Sequence, residues 1–250
     1  MSNKGRTLVV GDIHGSAKAL EQVLERCNFD YNKDKLIQLG DVADGWGETS
    51  ECVDILLDIK QRSNKENNPV FIRGNHDVWV YDWLLYGDLP IVWTEQGGKA
   101  TLENYIKTGM FMYSEHINFW CKEQVDWHLD DSNRLYIHAG WAYREGEFPA
   151  SAKYPVNAGT IAKECHWDRT LLSGAKSGKT QGLNALKEFK EVFIGHTATK
   201  SSLPENYLNL WNLDSGCGWH GRLTIMDVDT KEYWQSDFCK ELYPNEIGRG

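Results

Sequence analysis

Short apolar runs recur along the chain, and each is followed at once by a tight polar cluster. The runs at 8–10, 36–39, 70–72, 135–137 and 192–194 are rich in Leu, Ile and Val and have the length of strands buried on both faces. Residues 16–27 place Ala19, Leu20, Val23 and Leu24 on one stripe of a helix, so the chain opens with a strand, a turn and a helix. A second such unit follows, with a strand at 36–39 and a helix at 51–62 whose apolar face is Val53, Leu56, Leu57 and Ile59. The polar run 63–68 reads as a surface connection. After Asn75 the pattern becomes aromatic and helix-like from Val78 to about Leu129, broken by Gly97-Gly98 and Gly109. This stretch, about 79–130, is expected to form a helical cap insertion beside the strand ends. Strands are expected again at 207–213 and 223–228, and 144–190 as a loop with one or two helices. Crossovers early and hairpins late predict an α/β fold: two packed mixed β-sheets flanked by helices, in a single domain over 1–250.

Composition narrows the partners. A net charge of −9 argues against duplex nucleic acid, which needs a Lys/Arg stripe to neutralise phosphates, although it leaves nucleotides open. The six cysteines are scattered without a CxxC pair, which favours reduced thiols and a cytoplasmic location. The N-terminal residues lack a leader pattern and no apolar run reaches membrane length, so no membrane partner is expected.

The clusters after the runs carry the chemistry: Asp12-Ile13-His14, Asp41, Asn75-His76, His138 and Gly195-His196-Thr197. Any one of them alone reads as an ordinary turn or helix cap. All of them at strand ends, in a chain with eight histidines, point instead to one edge of a sheet, where open α/β folds place their sites. Carboxylate, imidazole and amide oxygen together form a mixed N/O donor set for manganese, iron, zinc or magnesium. Asp41 has two oxygens that could bridge a pair of cations, the geometry in which a hydroxide shared by two metals attacks phosphorus. A histidine such as His76, oriented by a neighbouring carboxylate, can protonate the leaving oxygen.

In order and spacing these motifs resemble the calcineurin-like metallophosphoesterases, particularly the branch that holds the phosphoprotein phosphatases and similar bacterial and phage enzymes. The matching segments are Gly11 to Gly15, Gly40 to Gly45, Gly74 to Asp77, His138-Ala139-Gly140 and Gly195 to Thr197, and the resemblance runs from residue 8 to about 228. It implies an αββα sandwich and two divalent metal ions, with manganese expected and iron, zinc or magnesium compatible. It further implies that Asp12, His14 and Asp41 hold the first ion and Asp41, Asn75, His138 and His196 the second. His76 would be the general acid, oriented by Asp44 rather than by Asp77, which reads as a helix-capping residue. Arg73 and Arg169 are candidates for binding the phosphate. The implied reaction is hydrolysis of a phosphate monoester by a metal-bridging hydroxide, on a phosphorylated small molecule or a phosphoprotein as in Ser/Thr protein phosphatases. Hydrolysis of a nucleotide, dinucleoside polyphosphate or RNA end is the alternative, and a non-catalytic metal-binding scaffold a third reading.

Two departures from the motif bear on substrate. Where the protein-phosphatase motif has Arg after its second Asp, this chain has Gly45 and then Trp46, so a phosphate-binding guanidinium is missing there. Trp46 and Trp79 follow two of the clusters and could present faces to a nucleobase. The segment from Gly174 to Thr180 is no P-loop, since three residues rather than four separate its glycines and no strand precedes it; it reads as a flexible basic loop.

Overall fold

The computed structural model describes residues 5–141, 161–178 and 187–249. The chain begins with β1 (Thr7–Val10), α1 (Ala17–Arg26), β2 (Lys35–Gln38), α2 (Thr49–Arg62) and β3 (Val70–Ile72). The three strands are parallel, as strands joined by helical crossovers must be. The helices α3 (Asn75–Tyr86), α4 (Ile91–Trp93), α5 (Lys99–Thr108) and α6 (Ser114–Asn118) follow, then β4 (Gln124–Val125), β5 (Trp127–Leu129) and β6 (Arg134–Ile137). Beyond these come α7 (Ile161–Trp167), α8 (Thr170–Ser177), β7 (Glu191–Ile194), β8 (Glu205–Tyr207), β9 (Leu210–Asn212), β10 (Thr224–Asp227), β11 (Tyr233–Gln235) and α9 (Cys239–Leu242). A six-stranded sheet runs β11-β10-β1-β2-β3-β4 and a five-stranded sheet runs β5-β6-β7-β9-β8.

Alternation along each strand decides which core a side chain enters. Val9, Ile37, Ile72, Tyr136, Phe193 and Met226 meet between the two sheets. Their neighbours Leu8, Val10, Leu36, Phe71 and Ile225 face the other way, onto Leu20, Val23 and Leu24 of α1 and Val53 and Leu56 of α2. On the far side Leu135, Ile137, Val192 and Ile194 pack against Leu171, Leu172 and Ala175 of α8. The molecule is therefore layered helix, sheet, sheet, helix. Full burial of such a side chain stabilises by about 1.5–3 kcal/mol, and a one-residue slip would turn each strand's set to the opposite face, so register is firmly held. With the register fixed, the residues just after β1, β2, β3, β6 and β7 gather at one edge.

The expected helical stretch differs at its end. Helix gives way after Glu123, because Gln124 is buried and tied to Asp77 at 3.0 Å while Val125 is exposed, a period of two; Gln124–Val125 then extends the first sheet alongside β3. Trp127–Leu129 opens the second sheet. Trp93, Tyr105, Phe119 and Trp120 are fully buried in the apolar cluster that holds α1 and α2, so the insertion packs into the core. The single strand expected at 207–213 is a hairpin, with Tyr207 paired to Leu210 and Leu208 taking φ of 61° at the turn. The segment from Gly174 is helical to Ser177 and stops at Gly178, whose left-handed φ of 63° caps α8; Lys179 and Thr180 lie outside the described residues. Much of the stretch expected as loop between 144 and 190 also lies outside them. No helix among the described residues is long and apolar enough to cross a membrane.

Candidate dinuclear metal centre

Each strand end contributes side chains to one buried cluster. Asp12 and His14 follow β1, Asp41 follows β2, Asn75 and His76 start α3 after β3, His138 follows β6 and His196 follows β7. The first sheet thus supplies Asp12, His14, Asp41 and Asn75, and the second supplies His138 and His196. Donor atoms of Asp12, His14 and Asp41 lie within 4.8 Å of one another, as do those of Asp41, His138 and His196. Asp41 belongs to both groups: its Oδ2 is 3.6 Å from His14 Nε2 and 3.3 Å from His138 Nε2. Asn75 Oδ1 joins the second group, 3.2 Å from His138 Nε2 and 2.9 Å from His196 Nδ1.

The local backbone is bent to make this possible. His14, Asp41, Asp44 and His196 all take positive φ, between 52° and 73°, a left-handed conformation that costs non-glycine residues about 1–3 kcal/mol and concentrates at functional sites. Gly74 and Gly195 let neighbouring loops approach: a Cβ on the first would collide with Asp41 Oδ1, and on the second with Asp12 Oδ1. Asp77 ties the loops after β2 and β3 together by accepting from the backbone N–H of Asp41, Val42 and Gly74 at 2.8–2.9 Å.

Tautomers are set from behind. His138 Nδ1 donates to Leu39 O at 2.7 Å and His14 Nδ1 lies 3.0 Å from the carbonyls of Ala43 and Asp44, which leaves Nε2 of each ring as the free donor atom. Burial and Asp214 push Asp12 well above the usual carboxylate range. Asp41 is held well below that range in spite of burial, by His138 and His76. Burial works against a charged His138, but Asp41 beside it raises the ring to about 9. Asp12 Oδ1 and His196 Nε2 are buried without a hydrogen-bond partner. Orphaned acceptors beside a shared carboxylate are the donor set of divalent cations, and these residues fit a pair of them.

His76 stands next to Asp41, with its backbone N–H donating to Asp41 Oδ1 at 2.9 Å. Its Nδ1 is 2.7 Å from Asp44 Oδ2, and its Nε2 is buried and unpartnered. Asp44 is itself held by Trp93 Nε1 at 2.7 Å and Thr101 Oγ1 at 2.8 Å, both from the helical insertion. Burial pushes Asp44 up and His76 down, to about 3, because so dry a position disfavours the charged form of each.

Not every expected residue reaches the cluster. Arg169 does: it is exposed, with contacts of 3.4 Å to Thr197 Oγ1 and 3.5 Å to His196 O. Arg73 does not, because its guanidinium turns into the insertion, donating to Trp120 O and lying over the Tyr81 ring. Trp46 is a core residue, fully buried, stacked on Tyr243 and bonded to Cys217 O at 2.7 Å, so it offers no face to a base. Trp79 is half-buried and edge-on to His76 at 5.0 Å, and Trp167, 45% exposed, lies 5.3 Å from it. Three contributors escaped the sequence reading. Asp214 follows β9 just as the other acids follow their strands, and that rule would have found it; Trp93 and Thr101 lie 49 and 57 positions from Asp44 and carry no sequence signal.

Comparison with known proteins bears on the family and the fold. The sequence profile described as calcineurin-like phosphoesterase matches residues 5–163. A symmetrical bis(5'-nucleosyl)-tetraphosphatase of Actinobacillus succinogenes is 22% identical over 94% of this chain and 98% of its own. Serine/threonine-protein phosphatase 1 of Salmonella typhimurium is 25% identical over 88% of this chain and 90% of its own. Among solved structures, the cold-active protein-tyrosine phosphatase of a Shewanella species superposes with a TM-score of 0.61 at 15% identity, over 94% of this chain and 81% of that one. A metallophosphoesterase of Sphaerobacter thermophilus gives 0.53 at 16% identity, over 94% and 89%.

Proposed function

Because this chain belongs to the calcineurin-like phosphoesterases, hydrolases of phosphoester bonds that depend on a dinuclear metal centre, we propose that it hydrolyses phosphate monoesters at the cluster around Asp41. Asp12, His14 and Asp41 would hold one cation, and Asp41, Asn75, His138 and His196 the other, with manganese as the expected metal. Bound there, divalent cations supply Lewis-acid charge against the phosphoryl oxygens and acidify the attacking water. His76 delivers the Nε2 proton to the leaving oxygen, and Asp44 keeps the opposite ring nitrogen engaged. Arg169, at the open side beside His196, meets the phosphate. The observation that carries this reading is the sharing of Asp41 by two donor groups with the His76–Asp44 pair bonded beside it. Reduced thiols, all six cysteines being free, support a cytoplasmic setting.

The test is hydrolysis of 4-nitrophenyl phosphate with added manganese. Wild-type turnover should vanish with chelator and in Asp41→Asn, and fall steeply in His76→Asn with metal content retained. Turnover indifferent to both the chelator and Asp41→Asn would remove the basis of the proposal.

A second reading is favoured by one observation, the Trp79–Trp167 pair against His76 and His196. An exposed indole beside Arg169 suits a nucleobase, and a tetraphosphatase is among the relatives. Base stacking is worth about 1–3 kcal/mol, so Trp167→Ala should raise KM for dinucleoside tetraphosphate by about 5- to 150-fold and leave that for an aryl phosphate alone. Equal effects on both substrates would count against a base-binding role.

A further inference from the structure

After α9 the chain folds back to the centre and brings Arg249 to it. Its backbone N–H donates to Gly218 O at 2.9 Å. Its side chain then runs past three glycines: a Cβ on Gly45 or Gly97 would lie 3.2 or 3.3 Å from Arg249 Cγ, and one on Gly218 would lie 2.8 Å from Cδ. Gly218 also abuts the His14 ring, so the stem passes directly beside a proposed metal ligand. Gly45, with φ of +117°, sits immediately after Asp44.

We propose that Arg249 is a second substrate-binding arginine beside Arg169, reaching the phosphoryl group from the opposite side through the space that the missing side chain of Gly45 leaves open. The inference rests on the phosphoesterase reading above and names a residue that neither the motifs nor the strand-end rule selects.

The argument is one of unsatisfied charge. The Nε of Arg249 is buried and has no hydrogen-bond partner. Among the described residues no carboxylate pairs with the guanidinium, whose polar contact is a long one, 3.5 Å from a terminal nitrogen to Gln96 Oε1. The Trp219 ring lies 5.0 Å from its central carbon, which engages a face of the guanidinium and leaves the N–H edge free. A guanidinium N–H buried without an acceptor is costly, and an anion drawn up to that edge would complete it. The group is close enough to the centre for its charge to be felt at His14, His76, Asp44 and Asp214. It also forms part of the wall of a cavity of about 520 Å³ between the insertion and the segment after α9, whose other wall includes Gly45 and Gly97. A dianionic phosphoryl group at the metal pair is the anion that such an edge fits, since planar donors match phosphate oxygens two at a time.

The experiment compares the manganese-loaded wild-type enzyme with Arg249→Ala, Arg249→Gln and Arg249→Lys. Turnover of 4-nitrophenyl phosphate and competitive inhibition by inorganic phosphate are measured alongside metal content and melting temperature. Losing a charge-assisted contact should raise both KM and the phosphate inhibition constant by about 10- to 100-fold in the Ala and Gln variants. Arg249→Lys should recover part of that loss, because it restores the charge without the paired edge, and metal content should not change. Arg249→Gln keeps most of the packed stem and guards against a folding defect in Arg249→Ala. If wild-type protein hydrolyses phosphoesters and the variants lower only the amount of folded or metal-loaded protein, with both constants unchanged, the proposal is overturned and the phosphoesterase reading stands. If wild-type protein hydrolyses no phosphoester at all, that reading falls and takes this proposal with it.

Discussion

Replacing Asp44 by Asn tests what the carboxylate does for His76, because the substitution keeps the shape and the hydrogen bonds while changing where a proton can sit. In the native pair, Asp44 Oδ2 faces two groups, His76 Nδ1 and Trp93 Nε1–H, each at 2.7 Å. Asp44 Oδ1 accepts from Thr101 Oγ1, which also lies 3.1 Å from Thr49 Oγ1. An Asn at this position would point its oxygen at Trp93, which can only donate, and its NH₂ at Thr101, which can pass its own proton to Thr49. His76 must then donate through Nδ1, and Nε2 becomes a bare acceptor with no proton for the leaving oxygen. Flipping the amide would restore a protonated Nε2 but would set the NH₂ against the indole N–H, leaving a buried donor unpaired at about 1–3 kcal/mol. The competent form is therefore populated at about 15% to under 1%, and kcat should fall by about 7- to 150-fold while stability changes by less than about 1 kcal/mol. Kinetics on phenyl phosphate and 4-nitrophenyl phosphate provide the assay, since a poor leaving group needs the proton more. The decisive step is the double variant Asp44→Asn/Trp93→Phe, in which the barrier to flipping is gone and activity should rise above that of Asp44→Asn alone. A double variant no faster than the single one, or a single variant as fast as wild type on phenyl phosphate, would refute the tautomer argument.

Three further outcomes are expected. Gly195→Ala forces a methyl against the Asp12 carboxylate, and since overpacking costs about 1–3 kcal/mol, the manganese concentration giving half-maximal thermal stabilisation should rise by about 5- to 150-fold. His128 stacks near Tyr136 with Nε2 buried and unpartnered, and burial and the nearby Lys35 push it from 6.5 to about 4. The unfolded chain then binds the extra proton between those values, so stability should decline as pH falls from 6.5 towards 4; His128→Phe should flatten urea melts across that window by up to about 2 kcal/mol, after discounting partial exposure. Arg73→Ala should leave kcat/KM for aryl phosphates unchanged and lower the melting temperature slightly, since its guanidinium serves the insertion through Trp120 O and Tyr81; a rise in KM would show that it reaches substrate after all.

How far the sequence reveals this molecule depends on distance along the chain. The apolar runs at 8–10 and 36–39 are strands because burial on both faces demands branched apolar side chains, and that demand is local. Element order places each cluster at a strand end, but His138 and His196 lie on a different sheet from Asp41, so their meeting follows from how the two sheets pack, which only the motif resemblance implied. Trp93 and Thr101 could not be grouped with Asp44, since their approach depends on how the insertion packs, and aromatic residues spaced for a helix report burial without naming a neighbour. The same limit explains Trp46, whose place after a ligand cluster suggested an exposed ring but whose indole is stacked beneath Tyr243, some two hundred positions away. The hairpin at 205–212 was hidden because Leu208, with its left-handed φ, is not a residue that advertises a turn.

That the donors come from both sheets bears on how the molecule assembles. Strands β5 to β9 of the second sheet are built from chain lying between β4 and β10 of the first, so His138 and His196 arrive on a module that must dock before they can meet Asp41. A nascent chain that has emerged only as far as β5 has Asp12, His14, Asp41 and Asn75, but the two histidines that complete the second group are still unmade. Metal capture is thus coupled to closing the seam between the layers, and once made it rivets that seam: cations should slow unfolding more than they speed folding.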